Sequence, residues 1–149
     1  MKKPKKLQII LITDNIKNHR YKSIDDWQDP DEIKLYKNGK YIIESLQFNT
    51  QVADMDNMDY NFLVLMHAIV EQYLCYKHKI TDEQVTKFDK EHTHCDNPGE
   101  HEEAPYHSEH VIANDVESML SVALKIDWNK YEKAIDKTLA KFPKPKKKK

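Results

Sequence analysis

His67 and Glu71 stand four residues apart within residues 60–74, YNFLVLMHAIVEQYL, a helix-like run with almost no watery side on which to place them. At about 100° per residue they share one face, bordered by Leu63 and Leu74 on one flank and by Tyr60, Val64 and Cys75 on the other. A helix that is apolar nearly all round is usually buried. An imidazole and a carboxylate taken out of water need partners there. Two partners suit the pair: a metal ion gripped by both side chains at i and i+4, or each other, as a hydrogen-bonded core pair.

A second concentration of chemistry lies downstream. Five of the eight histidines, His92, His94, His101, His107 and His110, fall within 19 residues, together with Cys95, Asp96, Glu100, Glu102, Glu103 and Glu109. Zinc takes about four ligands from imidazole, thiolate and carboxylate, and a catalytic zinc usually takes three plus a water. His67 and Glu71 would supply two of these, His110 the next, and His107 or Glu117 would complete the shell. Asp89, one turn after Val85, is the candidate acceptor behind a metal-bound imidazole.

Plainer readings compete at each position. His110 and Glu117 lie opposite the apolar stripe Ile112, Val116, Met119, Leu120 and Ala123, on the face shared with Asn114 and Ser121, which describes a solvated polar face. His92, His94, Cys95 and His101 read as exposed loop residues, since H-x-H-C matches no strong zinc spacing. Asp89 is equally a surface aspartate. Trp27 and Trp128 read as packing residues and Cys75 as a small core residue.

These side chains need a scaffold. Residues 7–13, LQIILIT, predict a buried strand, with residues 19–24 or 41–48 as its neighbour. Asn38-Gly39 between two alternating stretches predicts a hairpin. Residues 49–57 read as a loop, and Asp56 or Asn57 as the cap of the apolar helix, which ends near Lys77. Thr81 and Gln84 have capping-box spacing for a second helix ending near His92. Residues 93–106 hold Pro98, Gly99 and Pro105 and form an irregular loop. A helix then runs from His107 to about Ile126, and a last one, capped by Asp127, from Trp128 to about Ala140. Strands followed by helices predict an α+β fold, a small antiparallel sheet of three to four strands from the N-terminal third packed against three to four helices.

Composition sets the limits. The 149 residues, 39% hydrophobic and 33% charged, suit one folded domain over residues 7–140. No apolar run approaches the roughly 18–20 residues of a membrane span, and the six or so apolar-rich residues after MKKPKK are too few for a secretory signal, so the expected place is a cytosol and no membrane is expected. Two cysteines give no disulfide framework. With Gly39 and Gly99 the only glycines, phosphate loops and dinucleotide fingerprints are excluded. The net charge of −1 conceals four lysines in residues 1–6 and six in residues 141–149, which leaves the body with 14 basic against 25 acidic residues. Those ends predict basic tails, either a solubilising fringe or an arm with weak, nonspecific, salt-sensitive affinity for nucleic acid.

In order and spacing, D-D-W at 25–27, L-M-H-A-I-V-E-Q-Y-L-C at 65–75, I-T-D-E-Q-V-T-K-F-D at 80–89, P-G at 98–99, A-P-Y-H-S-E-H at 104–110, D-V-E at 115–117 and D-W-N-K-Y-E at 127–132 resemble a family of small uncharacterised phage and prophage proteins, over roughly residues 23–135. Many members carry H-E-x-x-E on the long helix, similar in that one helix to the H-E-x-x-H of zincin metalloproteases. The resemblance places His67 and Glu71 at ligand positions and Ala68 where the general base stands. Alanine takes no proton from water, so the resemblance implies either a zincin-like metallohydrolase in which Glu109 or Glu117, the candidate catalytic carboxylates, or else Asp89 reaches the metal-bound water, or a catalytically degenerate relative, holding zinc or another divalent transition metal. Host cytosol is then the expected location, with association to a virion open. The alternative is a non-enzymatic phage protein that binds a host or virion protein partner, with His67 and Glu71 as a structural core pair.

Overall fold

In the computed structural model, which describes residues 6–95 and 97–144, the order is four strands followed by four α-helices. The strands are β1 (Lys6–Asp14), β2 (Asp25–Trp27), β3 (Asp31–Lys37) and β4 (Lys40–Ala53), and the helices α1 (Met58–Lys77), α2 (Asp82–Glu91), α3 (His107–Ala123) and α4 (Trp128–Leu139). The fold is α+β, as the pattern predicts. Most of the two lysine tails falls outside the described residues; Lys6 opens β1, and residues 141–144 follow α4.

The 14-residue β4 organises the sheet. β3 pairs with its first half through the Asn38-Gly39 hairpin, where φ values of 52° and 74° are those a type I′ turn demands and Asn and Gly supply most cheaply. β2 pairs with its second half, Asp25 against Val52 and Trp27 against Thr50. Along the other edge β1 runs parallel to β4, Lys6 against Ser45 through Asp14 against Ala53, so the sheet is mixed and not wholly antiparallel as the pattern predicts, because the chain returns to that edge through β2 and β3 and not through a hairpin. Two further expectations are corrected here. Residues 49–53 continue β4 instead of starting a loop, because their N–H and C=O groups pair with both neighbours. β1 is an exposed edge strand, not a buried one, because among the described residues it pairs with β4 alone and meets α1 only at its margin, which leaves both its faces largely open.

α1 packs on the inner face of β4, where Leu46, Phe48 and Ile69 form one cluster and Val52, Leu63, Val64 and Trp27 belong to another. Asn57 caps it, its side chain accepting from the Tyr60 amide. Its other side lies against α3, so both faces are buried, which accounts for its nearly uniform apolarity. Gln72, fully buried, is matched: its carbonyl accepts from Thr50 and its amide donates to the Gln28 and Asn49 carbonyls. α2 carries the capping box between Thr81 and Gln84. The chain's single arginine, Arg20, ties α2 to β2 by bonding Asp26, Asp82 and the Trp27 carbonyl.

α3 reverses the sequence expectation. Its buried residues are Glu109, His110, Ala113, Glu117 and Ser121, while Ile112 is 46% and Met119 66% exposed. The polar face turns inward. Apolar stripes normally decide a helix's orientation, so a force specific to the polar side must outweigh the stripe.

Candidate metal centre

That force is a set of ionic contacts between α1 and α3, which run antiparallel. His67 meets Glu117, Glu71 meets His110, and His78 at the end of α1 meets Glu109 at the start of α3. The i, i+4 spacing on α1 and the i, i+7 spacing on α3 put all four inner groups on facing surfaces.

Glu71 is the hub. Its Oε2 lies 2.7 Å from His110 Nδ1 and 3.3 Å from His67 Nε2, and the Trp27 indole N–H donates to its Oε1 at 3.1 Å. His67 and His110 are 8% and 5% exposed and Glu71 4%. The imidazole rings stand edge to face, centroids 4.9 Å apart. On its far side His67 Nδ1 lies 2.8 Å from Glu117 Oε2, a close ion-pair contact without the alignment of a hydrogen bond. Glu117 in turn accepts from the Tyr131 hydroxyl.

Burial alone would raise the Glu71 pKa, but the His110 and His67 bonds outweigh it and hold the carboxyl below its ordinary value. Burial likewise opposes charge on His67, yet Glu117 and Glu71, one on each side, raise its pKa well above the usual imidazole value. Without a metal the cluster is therefore an imidazolium clamped between carboxylates. Asp25, from β2, is pushed up by burial and by the Glu71 charge.

One ligand atom each from His67, Glu71 and His110 falls within 4.8 Å of the others, so the group could hold a metal ion. At metal–ligand bonds of about 2.0–2.1 Å, tetrahedral coordination separates neighbouring ligand atoms by about 3.3 Å. His67 Nε2 and Glu71 Oε2 already have that separation, and His110 Nδ1 needs to recede by roughly half an ångström. His110 Nε2 is also buried with no hydrogen-bond partner among the described residues.

The remaining predicted residues divide plainly. Glu117 joins the cluster, on the His67 nitrogen that faces away from Glu71. Glu109 does not: it is buried beside His110 in sequence but turned to His78 Nδ1 at 2.6 Å, because consecutive helical residues point about 100° apart. His107 hydrogen-bonds the Gly99 carbonyl instead. Asp89 touches no imidazole; it accepts from the Tyr21 and Tyr106 hydroxyls, and burial lifts its pKa to about 6. His92 stacks on Phe88 with centroids 3.8 Å apart, with His94 and His101 around it, away from the buried group. Trp128 packs edge-to-face against Tyr131.

Sequence reasoning missed three contributors. Trp27 is a hydrogen-bond donor to the hub as well as a packing residue. Asp25 lines the cavity that opens onto the group. Gly99 lies against the His110 ring so closely that a Cβ would sit 2.6 Å from it. Replacing Gly99 by alanine must therefore push His110 off Glu71. We expect that variant to fold and any affinity of the group for a divalent metal to fall at least about tenfold, measured by competition with a chromophoric chelator; unchanged affinity would show that His110 has room to yield.

A cavity of about 790 Å³ opens onto the group, walled by parts of β2, α1, α2, α3 and α4. Nine Asp and Glu residues line it among the described residues, against one lysine, Lys22, and the His67 imidazolium, a balance that concentrates cations. No helix among the described residues is long and apolar enough to cross a membrane. No family model matches the chain, and neither a curated protein nor a solved structure matches it.

Proposed function

We propose that this protein binds one divalent transition metal, zinc in the first instance, through His67, Glu71 and His110. The observation that carries the reading is the inverted α3: it buries His110 and Glu117 and leaves Ile112 and Met119 in water, which places an imidazole against the carboxylate already held by α1. Glu117 then acts as the positioning carboxylate behind His67, since ligating histidines commonly give their second N–H to such an acceptor. Three protein ligands leave a fourth position for water, and a bound zinc would lower the pKa of that water toward 7.

Finer readings follow from the acids around the cavity. Ala68 is fully buried in the core and supplies no base, so a zincin-like hydrolase of this design needs another proton acceptor. Asp25 suits that role better than Glu109 or Glu117: it lines the cavity and accepts only from the Ser23 hydroxyl, while Glu109 and Glu117 are committed to His78 and His67. A degenerate phage-type relative that retains the metal without turnover is the neighbouring reading.

One observation favours a non-enzymatic protein instead: Glu71 already accepts from Trp27 and pairs with two imidazoles, so the cluster is coherent without an ion and serves as a core pair. Metal content separates the readings. Protein purified without chelators or a histidine tag should carry about one equivalent by mass spectrometry, and His110→Ala almost none. Sub-stoichiometric metal in both would end the metal reading.

A further inference from the structure

The two outer edges of the sheet are built differently. β3 has a register irregularity between Ile33 and Lys34 and carries Glu32, Lys34 and Lys37 along seven residues, the devices by which proteins blunt an edge strand. β1 has neither. Its nine-residue pairing with β4 is regular throughout, its charges stand only at its ends, and Leu7, Ile9, Ile10, Leu11 and Ile12 are 37–53% exposed. Among the described residues β1 pairs with β4 alone, so its second edge offers N–H and C=O groups to a further strand.

The sequence of that edge matches itself. Reading KLQIILITD antiparallel to a second copy, with Ile10 opposite Ile10, sets Ile9 against Leu11, Gln8 against Ile12, Leu7 against Thr13 and, at both ends, Lys6 against Asp14. Opposite charges meet twice and like charges nowhere. A two-fold interface requires this kind of self-complementarity, residue i on j and j on i. Directly paired residues share a sheet face. Leu7, Ile9 and Leu11 therefore lie on the α1 side, next to Leu46, Phe48 and Thr50, and the same residues of the second copy would extend that apolar strip. Ile10 and Ile12 would do the same on the opposite face.

We propose that two copies of this chain join β1 to β1 into a continuous eight-stranded sheet with Ile10 on the two-fold axis. The chain's own segments, a different protein and open-ended aggregation are the competing occupants. The geometry singles out one test. Ile10 is 40% exposed on the face away from α1, so Ile10→Lys and Ile10→Glu leave the core intact, which circular dichroism checks.

Sedimentation equilibrium at tens of micromolar should give wild-type protein twice the 17.7 kDa chain mass. Each variant alone should return to one chain mass, because like charges then face each other across the axis. An equimolar mixture should regain the doubled mass as a heterodimer, which also shows that both variants are folded. A monomeric wild type, a variant that stays dimeric, or a mixture that stays monomeric would each overturn the proposal.

Discussion

Chelator-treated Glu71→Ala protein will unfold about 3–5 kcal/mol more easily than chelator-treated wild type, the usual loss when one partner of a buried ion pair is deleted. Three donors lose their acceptor at once: the Trp27 indole, His110 Nδ1 and His67 Nε2. His67 keeps Glu117 on one side, but the His110 imidazole and the indole are left in a buried space with nothing to bond. Glu71→Gln should lose less, since its carbonyl still serves one donor while its NH₂ is turned against an imidazole. Urea titrations monitored by the fluorescence of Trp27 and Trp128 measure the difference. A loss under about 1 kcal/mol would mean that the contacts are solvent-screened.

The pH profile of that difference has a definite sign. Glu71 has a folded pKa below its ordinary 4.5, so its contribution is present above that value and fades as pH falls toward the lowered one. His67 has a folded pKa above its ordinary 6.5, so its share is complete below that value and is lost as pH rises through the raised one. The gap between wild type and variant should be widest between about pH 4.5 and 6.5.

How much of this was legible follows from which forces act locally. His67 and Glu71 stand out because ionisable groups in an apolar helix demand a partner wherever the helix lies. The caps at Asn57, Thr81 and Asp127 and the Asn38-Gly39 turn are likewise local, and the structure has each where its spacing predicts. α3 differs from its expectation because its apolar stripe reads as the inward face. The ionic contacts to α1 that decide its rotation involve residues 31 to 50 positions away, and nothing on α3 alone announces them. β1 differs for a related reason: a β-branched run signals a strand, but only the pairing shows whether anything covers it. Trp27 could have been flagged from its place after two aspartates, yet its bond to Glu71 spans 44 residues and has no periodicity to betray it. Gly99 offered a better clue, as one of two glycines in the chain, beside a proline and upstream of the histidine it accommodates.

Zinc should raise the melting temperature of the wild-type protein by about 5–11 °C when free metal is held near 100 times its dissociation constant. A ligand that binds only the folded state contributes about 2.7 kcal/mol at that ratio, and a domain of about 150 residues shifts roughly 2–4 °C per kcal/mol. The shift requires the imidazoles to be neutral, since a protonated nitrogen cannot ligate. His67 holds its proton tightly between two carboxylates, so the zinc effect should grow from pH 6 to pH 8 as metal displaces that proton. His110→Ala should show almost none of it at any pH, because two ligands on one helix turn bind weakly and the third has gone. EDTA added to the purified wild type should reverse the gain, and magnesium should not reproduce it, since imidazole favours transition metals over hard oxygen-seeking ions. If the melting curve of wild type is the same with zinc, with EDTA and with neither, the cluster is a self-contained ion pair. The protein would then be better understood through its surfaces than through its interior.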